Sequence, residues 1–141
     1  MGTRRSGVFV GREREFADAV QCLDLAGTGR GATVLVTGDA GIGKTRLAAE
    51  VASAASTKGF EVLLGRSIDL VGVELPFQPF VDALRPLGNP FRDEVRGSQL
   101  QVFESVLALL SERAAINPLL VVLEDLHWAD VSTLDLVVFL A

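Results

Sequence analysis

The sequence predicts an α/β fold built on a parallel sheet, and three observations point to it. Thr33-Val34-Leu35-Val36-Thr37 is a short β-branched run, fit for a buried strand, that leads straight into a glycine-rich loop. From Lys44 the apolar positions Leu47, Ala48, Val51, Ala52 and Ala55 fall at helical spacing, close near Gly59, and give way to a second strand from Glu61 to Arg66. Leu119 to Leu123 is a further apolar strand, ending in Glu124-Asp125. Strand, loop, helix and strand in that order imply a right-handed crossover.

The remaining elements follow from the same periodicities. A polar arm, residues 1–7, is expected to be flexible. Phe16, Ala19, Val20 and Leu23 recur at helical spacing, which predicts a helix from about Arg12 to Leu25 with Cys22 just off its apolar face. Gly27-Thr28-Gly29-Arg30-Gly31 reads as a linker; it precedes a strand, whereas a dinucleotide-binding fingerprint follows one. Pro76, Pro79, Pro86 and Pro90 break the next stretch into short pieces, with room for one short helix around Phe80 and Leu84. Gln99 to Arg113 reads as a helix with Leu100, Phe103, Leu107 and Leu110 on one face, stopped by Asn117-Pro118. A last helix runs from about Ser132 to the end, with Asp130 starting or capping it.

Composition bounds the function. With 141 residues and 49% apolar content the chain suits one domain with its own core. Thirteen basic residues against 18 acidic ones, and a pI near 4.8, give no footprint for direct nucleic-acid binding or for an anionic membrane surface. The single cysteine, Cys22, cannot close an internal disulfide, and no Cys/His cluster has metal-ligand spacing, which fits a reducing cytoplasm. No apolar run approaches the ~18 residues of a membrane span, and Arg12 and Glu13 interrupt the N-terminus before a signal-peptide core can form. Met1-Gly2-Thr3-Arg4-Arg5-Ser6 fits the loose myristoylation template, and Arg4-Arg5 half a twin-arginine signal. Both are short patterns with no hydrophobic segment behind them, so neither is adopted. A cytoplasmic protein is expected.

Gly38-Asp39-Ala40-Gly41-Ile42-Gly43-Lys44-Thr45 fits G-x-x-x-x-G-K-[ST] in full, which predicts a P-loop nucleoside-triphosphate fold of three α/β/α layers. The chemistry needs those residue types. Glycines let the backbone curl so that successive N–H groups face phosphate oxygens, and the helix that begins at the loop adds unpaired amides and its positive pole. Lys44 would reach the β and γ phosphates and the Thr45 hydroxyl would bind magnesium, with Arg46 on the same first turn. The competing account is a chance glycine turn before a helix. Its position after a buried strand and before a helix favours the phosphate loop.

An apolar strand that ends in two acids places carboxylates at the edge from which such a loop emerges. One of Glu124 and Asp125 can hold the magnesium shell and the other can orient or activate the attacking water, in either assignment. A solvated acidic pair capping a strand is the plainer account. His127 either senses the γ phosphate or packs and caps the loop, and Trp128 anchors that loop to the fold. The guanine-specifying Asn-Lys-x-Asp pattern and an Asp-x-x-Gly switch are both absent, so the cofactors expected are ATP and Mg2+. A small-molecule kinase and a non-hydrolysing scaffold are the alternatives.

With these residues in place, the sequence resembles the STAND-type, AAA-like ATPase domain near the N-terminus of large ATP-binding LuxR-type transcriptional regulators, also described as origin-recognition-like AAA. The resemblance rests on Phe9-Val10-Gly11-Arg12-Glu13-Arg14-Glu15, the phosphate loop, Glu74-Leu75-Pro76-Phe77-Gln78-Pro79-Phe80 and Leu123-Glu124-Asp125-Leu126-His127-Trp128-Ala129-Asp130. It implies that Val10, Gly11 and Arg12 lie against the adenine, although a plain helix start accounts for them equally well. Where many relatives carry two aspartates, this chain has Glu124 then Asp125. Implied partners are further domains of a larger regulator, or another copy.

Such domains continue with a sensor strand, another strand, an arginine-bearing segment and a helical lid. The chain is therefore expected to hold the N-terminal portion of an incomplete domain. The sensor strand would lie between the phosphate-loop strand and the acidic strand, and unmet backbone groups on buried edges cost on the order of 1–3 kcal/mol each. Poor solubility or a broad melting transition is the expected outcome in calorimetry; a sharp, reversible, high-temperature transition would count against this expectation.

Overall fold

In the computed structural model, which describes residues 2–4, 13–37, 43–67, 76–88, 90–91, 98–126 and 129–141, the extended segments pair two by two. Strand β1 (Gly2–Arg4) runs parallel to β2 (Leu35–Thr37), with Gly2 opposite Leu35 and Arg4 opposite Thr37. Three residues of the expected arm are thus strand, because the edge of β2 offers them backbone partners. Strand β3 (Glu61–Arg66) pairs with β4 (Leu119–Glu124) in a second sheet. The Ser67 amide donates to the Glu124 carbonyl at 3.1 Å, so the carboxyl ends of β3 and β4 lie side by side, as parallel strands require. The chain divides into two units, Met1–Val62 and Leu63–Ala141, with the boundary inside β3.

In the first unit, α1 (Glu13–Gly27) packs against α2 (Lys44–Thr57). Glu13 and Glu15 in the first turn of α1 suit its positive pole. Its buried residues are Glu15, Cys22 and Leu23, while Phe16, Ala19 and Val20 are half-buried. The buried stripe is therefore turned from the one the sequence suggests, and Cys22, expected just off it, lies within it. Helix α1 also runs two residues past Leu25, and the turn comes at Gly29, whose φ is 94°. Helix α2 buries Leu47 and Ala55 and stops where expected: Gly59, at φ 87°, donates to Ser56 and Phe60 donates to Ala55, which caps the last carbonyls. Strand β2 is not buried, since Leu35 is 54% exposed. A two-stranded sheet has too few neighbours to cover both its faces.

The second unit holds a larger core. Along β3, Leu63, Gly65 and Ser67 are buried and Leu64 and Arg66 are exposed, the alternation of a strand with one covered face. A Cβ on Gly65 would sit 1.9 Å from the Pro79 carbonyl oxygen and 2.9 Å from the Ala83 Cβ. Only glycine lets α3 (Gln78–Leu84) lie so close to the strand. Phe77 begins α3 with φ 59°, a conformation unfavourable for a bulky residue. It is held by burial: its ring stacks on Phe91 at 4.9 Å and meets the edge of Phe103 at 6.2 Å.

Helix α4 (Gln99–Ile116) opens with a capping box, in which Ser98 Oγ accepts from the Gln101 amide at 3.2 Å and Gln101 Oε1 accepts from the Ser98 amide at 3.1 Å. It buries Val102, Phe103 and Val106, whereas Leu100 and Leu107 are exposed. The expected stripe of Leu100, Phe103, Leu107 and Leu110 is thus rotated. Apolar residues surround much of this helix, and its contacts with β4 and α5 (Val131–Leu140) select which of them are covered. Asp130 caps α5, accepting from the Thr133 amide at 3.2 Å and from the Thr133 hydroxyl. Strand β4 is half-buried along its whole length.

Two substitutions test this packing. Gly65→Ala forces α3 off β3 and should cost about 3 kcal/mol in urea melts, at the upper end of overpacking effects. Ser67 is 4% exposed and its hydroxyl has no hydrogen-bond partner among the described residues. Ser67→Ala should therefore leave stability unchanged or raise it by about 1 kcal/mol; a comparable loss would show that the hydroxyl is satisfied after all.

Candidate functional site

The amino end of α2 is built unlike those of the capped helices. Gly43 stands at its N-cap in the left-handed conformation, φ 72° and ψ 6°, and supplies no side-chain hydrogen bond to the first turn. An L residue in that conformation costs roughly 1–2 kcal/mol, so the loop must end in glycine. The Leu47 amide bonds to the Gly43 carbonyl at 2.9 Å, which starts the helical ladder. Helices α4 and α5 carry side-chain caps from Ser98 and Asp130, and α1 has acids in its first turn. Helix α2 has no acid there, and instead carries Lys44 and Arg46. Two cations against a positive helix pole are unfavourable by themselves, and become favourable beside a polyanion.

Lys44 is half-buried and Thr45 exposed. Arg46 is exposed and reaches along the helix to Glu50, 3.5 Å between Nε and Oε1. Gly38, Asp39, Ala40, Gly41 and Ile42 lie outside the described residues, as do Val10, Gly11 and Arg12 of the supposed base pocket and His127 and Trp128.

The acid pair belongs to the second unit. Glu124 is the last residue of β4, and Asp125 turns the chain out of the strand with φ 57°, which aspartate tolerates better than most residues. Arg66, the last residue of β3, engages both: one terminal nitrogen lies 2.9 Å from Glu124 Oε2, and Nε lies 3.3 Å from Asp125 Oδ2. The hydrogen bond to Glu124, then the charges of Glu124 and Asp125, raise the Arg66 pKa above its already high ordinary value, so it is a cation at every working pH. Glu124 is the more sheltered acid, its side chain 21% exposed against 41% for Asp125. Among the described residues no three His, Cys, Asp or Glu side chains gather as a metal site.

Arg66 was given no role by its position in the sequence. The available signal is a cation at the carboxyl end of one strand beside a second strand that ends in acids, and it becomes visible only once β3 and β4 are known to be neighbours.

Comparison with known proteins places these residues in a family. The family model described as AAA ATPase domain matches residues 8–141. An uncharacterized protein of Rhizobium meliloti (strain 1021) is 32% identical over 116 residues, which cover 81% of this chain and 10% of that protein. The chain thus spans about a tenth of the length of that relative. No solved structure matches. Among the described residues no helix is long and apolar enough to cross a membrane.

Proposed function

This chain belongs to the AAA ATPase domain family, and we propose that it is a Mg-ATP-binding switch module of a larger, STAND-type regulator. The observation that carries the proposal is the G-x-x-x-x-G-K-[ST] loop ending in a left-handed Gly43, at an amino helix end with neither a side-chain cap nor an acid. Such an end offers main-chain amides and a positive pole to phosphate oxygens. Glu124 and Asp125 supply the hard oxygen donors that magnesium prefers. The proposal carries with it the three-layer α/β/α arrangement expected of P-loop proteins.

In the proposed mechanism the loop from Gly38 to Gly43 wraps the phosphates with backbone N–H groups. Lys44 neutralises the β and γ phosphates, the Thr45 hydroxyl serves the metal, and Arg46 adds positive charge beside the polyphosphate. One of Glu124 and Asp125 would hold the metal shell and the other would orient or activate water, in either assignment. Magnesium, when bound, supplies charge that offsets the polyphosphate. By the family resemblance, Val10, Gly11 and Arg12 would line the base pocket, a plain helix start being the alternative. The relative that extends far beyond the matched region supports a module whose nucleotide state is read by other domains, or by another copy.

A second reading, nucleotide binding without turnover, is favoured by Arg66, which holds both acids needed for water and metal. Both readings expect tight ATP binding, weaker GTP binding and dependence on magnesium in calorimetric titration. Lys44→Ala should weaken ATP binding by tenfold or more, on the order of the 1.4 kcal/mol or more that a charged hydrogen bond contributes. Unchanged affinity in that variant would remove the phosphate-loop assignment, and steady phosphate release by the wild-type chain would exclude the second reading.

A further inference from the structure

We propose that Arg66 is a built-in competitor of the divalent cation: its guanidinium engages Glu124 and Asp125 together, and a metal gains these acids only by displacing it. This rests on the reading of Glu124 and Asp125 as the acids of the nucleotide site.

The geometry argues for competition rather than simple bracing. Arg66 contacts each carboxylate through a different nitrogen, at 2.9 Å and 3.3 Å, so one planar group spans both acids. A cation bound to both carboxylates would stand within a few ångströms of that guanidinium, and two like charges so close repel. Strand alternation puts Arg66 on the exposed side of β3, opposite the face that Leu63 and Gly65 bury. Its side chain is 53% exposed and can swing into solvent. The backbone already joins β3 to β4 at this point through the Ser67 amide and the Glu124 carbonyl, so the strand ends are held without the ion pairs.

Competition has three consequences. The acids are kept in partnership with a cation when the nucleotide is absent. Free metal is bound weakly by the empty chain, so metal and nucleotide arrive together. Because the ion pairs are partly exposed, dissolved salt screens them and weakens the hold of Arg66.

The test titrates the full chain with Mn2+ alone and counts free metal by electron paramagnetic resonance. Arg66→Gln should bind Mn2+ more tightly than the wild type, on the order of fivefold, the scale of exposed ion pairs. Arg66→Lys, which keeps the charge but cannot span two carboxylates with a planar fork, should fall between them. The difference between wild type and Arg66→Gln should shrink as monovalent salt is raised. Adding Glu124→Gln and Asp125→Asn to Arg66→Gln should abolish the gain. Unchanged or weaker Mn2+ binding in Arg66→Gln, with circular dichroism matching the wild type, overturns the proposal. Should that variant misfold, the absence of any gain in Arg66→Lys overturns it equally.

A separate arm protects the underlying reading. If Glu124→Gln with Asp125→Asn leaves the magnesium dependence of ATP binding intact, the acids do not serve the nucleotide, whatever Mn2+ does. If those changes remove the magnesium dependence while Arg66→Gln leaves Mn2+ affinity alone, only the competition proposal fails.

Discussion

The close approach of α3 to β3 at Gly65 is the constraint on which the second unit depends. A missing side chain lets the Pro79 carbonyl lie against the strand, and this brings Phe80, Ala83 and Leu84 down onto Leu63. The same approach leaves one face of β3 covered and the other open. Everything at the carboxyl end follows from that division: Ser67 is sealed into the covered side, and Arg66 stands on the open side beside the acids of β4.

Charge at element ends is the second theme. Helix α2 starts with cations where a helix ordinarily prefers acids, and β4 ends in acids where the neighbouring strand supplies a cation. The two ends differ in how their charge is met. At the acid pair the chain provides its own partner, two carboxylates against one guanidinium, which leaves one negative charge over. At the amino end of α2, Arg46 pairs with Glu50 one turn along the same helix, in an exposed contact that contributes little.

Much of this was legible from the residues. Strand β3 and helix α2 fall almost to the residue where the sequence predicts them, because the helical periodicity of α2 is sharp and Gly59 provides an unambiguous stop between them. Of the glycine-rich loop, residues 38–42 lie outside the described residues, and the family match over residues 8–141 agrees with the coarser reading of an AAA ATPase domain. The buried stripe of α4 was not legible. Leu100 and Leu107 compete with Val102 and Val106 for the face that Phe103 shares with either set, and composition alone gives no reason to prefer one. Cys22 was misplaced by a small rotation of the same kind.

What the residues determined alone was local: which segments are helix or strand, that a glycine stands at the left-handed start of α2, and which side chains carry hard oxygen or ammonium chemistry. These depend on neighbours a few positions away, and the chain pattern contains them. Tertiary structure decided which strand lies beside which, the single sheet expected being two pairs among the described residues. It also decided that Arg66 meets Glu124 and Asp125 across 58 positions of sequence for the first of them, and that β2 is exposed. Contacts between distant segments are set by how faces cover one another, a property that no run of residues possesses until the chain has folded.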